Sequence, residues 1–165
     1  MKWIITTAAF AAFTLTAFAD STADFLKGVE GFRSSVYLCQ AGERAIGYGF
    51  TAPELIAKGS MTRVEAEREL IRICGEIRRR LRRELKRQRL RECEETAVIS
   101  FIYNVGWYNF KSSTMFRLIL HGKRGGVVAK EFRRWVYVTK DGKKISSRGI
   151  EKRRAAEARM FAEGR

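Results

Sequence analysis

Glu30 is followed nine residues later by the thiol of Cys39, and Ala45 stands six residues beyond it, just before the glycine-punctuated run IGYGFT of Ile46 to Thr51. A carboxyl group facing a second reactive side chain across a cleft is an arrangement that hydrolyses glycosidic bonds: one group protonates the leaving oxygen while the other serves the opposite face of the sugar. Glu30 is the candidate general acid. It must hold a proton near neutral pH, a condition usually met by burial. Cys39 is the candidate partner. As a thiolate it could stabilise positive charge on the sugar, steer a water or act as a nucleophile, and a lowered thiol pKa would favour each role. The plainer readings are an exposed acid at a helix end for Glu30, and a buried small residue or disulfide partner for Cys39.

The elements that must position these residues follow from periodicity and punctuation. Ser21-Thr-Ala-Asp24 resembles a capping box, and Phe25, Val29 and Phe32 recur at helical spacing, which predicts a helix from about Thr22 to Gly31 with Glu30 in its last turn. Val36 to Phe50 reads as a hairpin or small sheet turning at Ala41-Gly42-Glu43. Within it Ile46, Tyr48 and Phe50 alternate with Gly47 and Gly49, giving one bulky face and one bare face that a ligand could approach. Thr62-Arg-Val-Glu65 is a second capping box. It opens a long helix whose apolar stripe is Leu70, Cys74, Ile77, Leu81 and Leu85, so Cys74 is expected in the core. Glu94 to Val105 is strongly apolar and reads as a central helix ended by Asn104-Val-Gly106. Further helices are expected over Met115 to His121, Val127 to Trp135 and Glu151 to Ala162, with a turn at Asp141-Gly142. Trp135 and Phe110 read as core, Trp107 as core or as a platform for a sugar, and His121 as a cation at a helix C-terminus.

A chain of 165 residues with one proline and 45% hydrophobic residues is long enough for one compact domain with a real core. Its formal charge of +15 is concentrated: Arg78 to Arg91 holds nine Lys or Arg in fourteen positions. Such a surface attracts polyanions, whether nucleic acid or an anionic cell envelope. One histidine and three cysteines without a Cys-x-x-Cys pair argue against a zinc site, and no other metal or cofactor is called for. Met1-Lys2 precedes the uncharged run Trp3 to Ala19, which closes on Ala17-Phe18-Ala19. That pattern reads as a secretory signal cleaved after Ala19, or as a weakly apolar anchor over residues 3–19 that contacts the membrane transiently and is later released. Residues 20–165 are then the functional domain. In an oxidising periplasm Cys39 could pair with Cys74 or Cys93 and be blocked until exchanged.

Taken together, about Phe25 to Phe161 resembles a phage-type lysozyme of glycoside hydrolase family twenty-four. The resemblance rests on Glu30 and Cys39 at the family's acid-to-acid-or-thiol spacing, on IGYGFT, and on three later motifs in the right order. These are SFIYNVGWYNFKSSTMFRLI (Ser100 to Ile119), FRRWVY (Phe132 to Tyr137) and RGIEKRRAAEARMF (Arg148 to Phe161). It implies an α+β, mostly helical, two-lobed lysozyme-like fold. In that fold a small lobe with a three-stranded sheet is joined by a long helix to a helical lobe, with the active site between. It also implies that Tyr48, Gly49 and Thr51 line the cleft and that Asn104, Gly106, Phe110 and Ser113 belong to the helical wall. A basic residue is implied beside Glu30, best matched by Arg154; a cation there would lower the acid's pKa, so it would orient the acid rather than raise it. Ala45 occupies the place of a threonine that helps hold the attacking water, and Phe50 that of a histidine.

The function this implies is an exported peptidoglycan hydrolase, a lysozyme or endolysin. It would cleave the β-1,4 bond between N-acetylmuramic acid and N-acetylglucosamine in the periplasm or cell wall and lyse the bacterium. Its partners would be peptidoglycan and anionic envelope polymers, with no specific nucleic acid, and a monomer is expected. The alternative that Ala45 and Cys39 leave open is a catalytically impaired homologue that binds peptidoglycan or disrupts the envelope. A nucleic-acid-binding protein would account for the charge but not for the export segment or the hydrolase motifs.

Overall fold

The structure is a computed structural model and describes residues 21–39, 42–140 and 143–163. The segment 1–19 read as a signal or anchor lies outside the described residues, as do Ala41 and the Asp141-Gly142 turn. Among those described no helix is long and apolar enough to cross a membrane.

The fold is α+β, mostly helical and lysozyme-like. Helix α1 covers residues 21–30 and ends before Gly31, whose φ of 69° is the left-handed conformation that stops a helix. Its inner face buries Ala23 and Leu26 in the core, and Thr22 is fully buried. Strands β1 (Arg33–Leu38) and β2 (Arg44–Gly47) form an antiparallel ladder with Tyr37 opposite Ala45 and Leu38 opposite Arg44. A short helix α2 (Pro53–Ile56) packs beside β2 and completes the small lobe.

Two features of this lobe differ from expectation. The third strand is reduced to the single bridges Ser35–Ser60 and Ile46–Phe50. The alternation through IGYGF is not a continuing strand: Ile46 and Phe50 exchange backbone hydrogen bonds of 3.0 and 2.8 Å, so the chain reverses over Gly47-Tyr48-Gly49. Gly47 and Gly49 have φ of 65° and 88°, which a side chain rarely adopts. At Gly47 a Cβ would also fall 2.6 Å from the Phe50 ring.

Helix α3 (Arg63–Leu85) leads from the small lobe into the helical one. Its expected capping box is complete: Thr62 accepts from the Glu65 backbone, and the Glu65 carboxylate accepts from the Thr62 backbone at 2.7 Å. Leu70, Cys74, Leu81 and Leu85 are buried as the stripe requires, but Ile77 is only half-buried and Arg78 takes the inner position. Arg78 is buried because α4 and α1 satisfy it: Nε donates to Glu95 at 3.1 Å and Nη2 to Thr22 at 2.8 Å. The Thr22 and Thr96 hydroxyls hydrogen-bond to each other at 3.0 Å, and Arg82 donates twice to Glu95. This network fastens the start of α1 to the helical lobe. A buried ion pair holds only when its remaining donors are also satisfied.

The central helix α4 (Glu92–Val105) is buried along most of its length and ends at Gly106, φ 83°. The chain continues through α5 (Trp107–Ser112), α6 (Thr114–Leu120, capped by Ser113), α7 (Gly126–Phe132), the hairpin β3 (Tyr137–Lys140) and β4 (Lys143–Ser146), and α8 (Arg148–Glu163). Helix α8 packs on α4 and α7. Phe101 lies 5.5 Å from both Phe132 and Trp135, edge to face, which supports the core reading of Trp135 and, with Phe110 fully buried, that of Phe110.

Candidate active site

Three elements meet at Glu30. Helix α1 carries it in its last residue, the β2 turn passes over it and α8 supplies a cation from below. The bare Gly49 backbone comes so close that a Cβ there would lie 3.4 Å from Glu30 Oε2. A larger residue would crowd the carboxylate.

The cation is Arg153, not the Arg154 expected from sequence. Arg153 Nη1 donates to Glu30 Oε1. The rest of its guanidinium is fixed by Glu157 Oε1 at 3.0 Å and by the Ser100 carbonyl and hydroxyl at 2.8 and 3.2 Å. Arg154, next to it on the same helix, bonds other partners. It is fully buried, lies over the Phe101 ring at 4.7 Å and donates to Glu157 Oε2 at 2.6 Å, to Asn104 Oδ1 and to the Trp135 carbonyl. Burial pulls its guanidinium below the ordinary value, while Glu157 opposes that shift. Glu157 is itself fully buried and accepts from Ser100 Oγ at 2.6 Å as well. Glu30 and Glu157 therefore balance Arg153 and Arg154, and the acid is held in one orientation by a closed network. Neighbouring arginines on one helix were visible in the sequence; which of them faces Glu30 depends on how α8 is rotated against α4.

Cys39 follows β1. Its backbone N–H bonds to the Glu43 carbonyl at 2.8 Å, so the ladder continues one step past Leu38–Arg44. Cys39 and Tyr37, two residues apart, consequently share one face of the hairpin. Ala45, opposite Tyr37, is on that face too and is 1% exposed. Burial first, and then the charges of Glu30 and Cys39, push the Tyr37 phenol up. Tyr37 was not singled out from sequence, although its alternation with Cys39 was there to read.

A cleft of about 450 Å³ is lined by Gly49, Thr51 and Leu55 of the small lobe, by Arg72, Glu76 and Arg80 of α3, and by Tyr103, Gly106 and Trp107 of the helical lobe. Thr51 and Gly49 line it as expected, whereas Glu30 adjoins Gly49 without lining it, and Cys39 and Ala45 do not line it either. Tyr48 does not line it with its side chain. The ring is buried between Phe32 and Phe50, and its hydroxyl accepts from Arg63 and donates to Glu67. Only its carbonyl turns toward Tyr103, which donates to it at 2.8 Å. Burial, then the Glu30 charge, holds the Tyr103 phenol well above its usual range, so it remains a donor. Asn104 is exposed and tethered by Arg154, and it does not line the cleft. Trp107 is half-buried, with Arg80 over its ring at 4.3 Å and Phe110 at its edge. Among the described residues no group of three or more His, Cys, Asp or Glu is arranged to hold a metal.

All three thiols are free. Cys74 is fully buried, and burial pushes it up to about 12. Cys39 and Cys93 are half-buried. Alkylation of the native protein at pH 8 is expected to modify Cys39 and Cys93 and to spare Cys74 until denaturant is added, as mass spectrometry would show. Because the Cys74 pKa is raised on folding, its contribution to stability is intact below about 9.0 and is lost as pH rises toward 12.

A mostly helical, lysozyme-like fold with a carboxylate held by a buried arginine next to a cleft-lining glycine is that of a lysozyme-like glycoside hydrolase. The chain belongs to the phage lysozyme family, whose model matches residues 27–157, and its class is that of the peptidoglycan hydrolases. It is 31% identical to the endolysin of Acyrthosiphon pisum secondary endosymbiont phage 1, over 82% of this chain and 91% of that one. It is 31% identical to the SAR-endolysin of Bacteriophage PS119 over 67% and 65%. Among solved structures, the endolysin from Escherichia coli O157:H7 phage FAHEc1 superposes with a TM-score of 0.73 at 26% identity, covering 87% of this chain and 92% of that one.

Proposed function

We propose that this chain is an exported muramidase that cleaves the β-1,4 bond between N-acetylmuramic acid and N-acetylglucosamine and so lyses the bacterial cell. The observation that carries the reading is Glu30, fixed by Arg153 and packed against Gly49, a residue that lines the cleft. Glu30 donates its proton to the glycosidic oxygen as the C–O bond breaks. Cys39, as thiolate, takes a proton from the water that attacks the anomeric carbon from the opposite face, which inverts the configuration. Thr51, Gly49 and Asn104 border the glycan path, and Arg154 acts through Asn104 and Glu157.

Six of the nine cations between Arg78 and Arg91 support contact with anionic envelope polymers. Arg79, Arg80, Arg83, Lys86, Arg87 and Arg89 are exposed and form no ion pair with the described residues, whereas Arg78, Arg82 and Arg91 serve the fold. Residues 1–19 would carry the domain to the periplasm as a cleaved signal or a releasable anchor.

Ala45 favours one second reading, an envelope-binding homologue with impaired catalysis, because a methyl group offers a water no hydrogen bond. Digestion of purified peptidoglycan by the full chain, followed by borohydride reduction, separates these. New muramitol ends are expected. Glucosaminitol ends would contradict the bond assignment, and wall binding without new ends would favour the impaired homologue.

A further inference from the structure

We infer that Tyr37 holds the attacking water beside Cys39, supplying from β1 the hydroxyl that Ala45 does not supply from β2; the inference rests on the glycosidase reading above. A water activated by a base needs a second hydrogen-bond partner to fix its lone pair on the anomeric carbon, since a small misplacement of reacting atoms is costly. The hairpin offers few atoms for this. Ala45 has no polar side-chain atom to offer a water. Directly opposite in register, on the same face as Cys39, stands Tyr37. Arg33 lies 5.9 Å from its ring centroid. The ring is half-buried, and its phenol lies within electrostatic reach of both Glu30 and Cys39. Raised by burial and by those charges, the phenol stays protonated and keeps a lone pair for a water proton.

In the step this describes, one water proton is held by Tyr37 Oη and the other passes to the Cys39 thiolate as the water oxygen bonds to the anomeric carbon. The bond to the leaving sugar breaks and its oxygen takes the Glu30 proton. Glu30 ends as carboxylate, Cys39 as thiol and Tyr37 unchanged. Tyr37 is thus a positioning residue, acting through the water.

The test compares the full-length wild type with Tyr37→Phe, Ala45→Thr and the double variant on purified peptidoglycan. Tyr37→Phe keeps the ring and its packing, and is expected to lower kcat on the order of 100-fold with KM within about twofold. In the double variant a hydroxyl returns on the facing strand and is expected to recover at least about tenfold of kcat. Ala45→Ser serves in place of Ala45→Thr if the larger residue lowers the melting temperature. A Tyr37→Phe enzyme with wild-type kcat, or a loss that neither hydroxyl substitution rescues in folded protein, overturns the assignment. A wild type as inactive as Glu30→Gln overturns the glycosidase reading itself and this role with it.

Discussion

Glu30→Gln is expected to reduce the release of reducing ends from peptidoglycan by about 10²- to 10⁴-fold, the usual worth of a positioned general acid. The substitution isolates the proton. Glutamine has the size of glutamate, and its amide oxygen can still accept from Arg153 Nη1. Arg153 also keeps Glu157 and Ser100, so removing one charge at the rim does not leave it unpaired. The exposed cations from Arg79 to Arg89 are untouched, so wall binding is expected to persist. Circular dichroism and a pull-down with insoluble peptidoglycan would show a folded, binding, inactive protein. Turnover within a few-fold of wild type would mean that another group protonates the leaving sugar.

Glu157→Leu is expected to have the largest effect on stability, about 3–5 kcal/mol. Glu157 is fully buried and accepts from Arg153, Arg154 and Ser100. Without it two buried guanidiniums face each other with Glu30 as the remaining carboxylate in their network. Breaking a buried pair from one side costs far more than the pair contributes, because the stranded charge cannot reach water. For a chain of this size the melting temperature would fall by roughly 6–20 °C. Activity would fall too, since the same contacts orient Arg153 and through it Glu30. Urea unfolding curves for Glu157→Leu and Glu157→Gln would check this, and a loss below about 1 kcal/mol for the leucine variant would contradict the network's role.

What the sequence made legible is local. The Thr62–Glu65 capping box, the ends of α1 and α4 at Gly31 and Gly106 and the stripe of α3 depend on residues within a few positions of one another, and they stand close to expectation. Gly49 and Thr51 as cleft-lining residues were legible because spacing within one short segment carries them. The discrepancies depend on distant partners. Arg78 replaces Ile77 as the more buried residue of α3 because Glu95 and Thr22, remote in sequence, meet it. Arg153 rather than Arg154 reaches Glu30 because the rotation of α8 is set by its packing on α4 and α7. Tyr48 is drawn into the core by Phe32 and Phe50. Helix α7 stops at Phe132, short of Trp135, whose carbonyl is taken by Arg154. The hairpin β3–β4 was not anticipated, because its lysine-rich strands show no alternation of apolar and polar residues, and the exposure of Tyr137 and Ile145 shows why none was required.

The central claim, that this cleft breaks glycosidic bonds with Glu30 as the acid, is tested most directly by one measurement. Purified peptidoglycan is incubated with the full chain and with Glu30→Gln, and new reducing ends are counted over time. The account predicts steady release by the wild type and almost none by the variant. A folded, wall-binding wild type that releases no more than Glu30→Gln would contradict it.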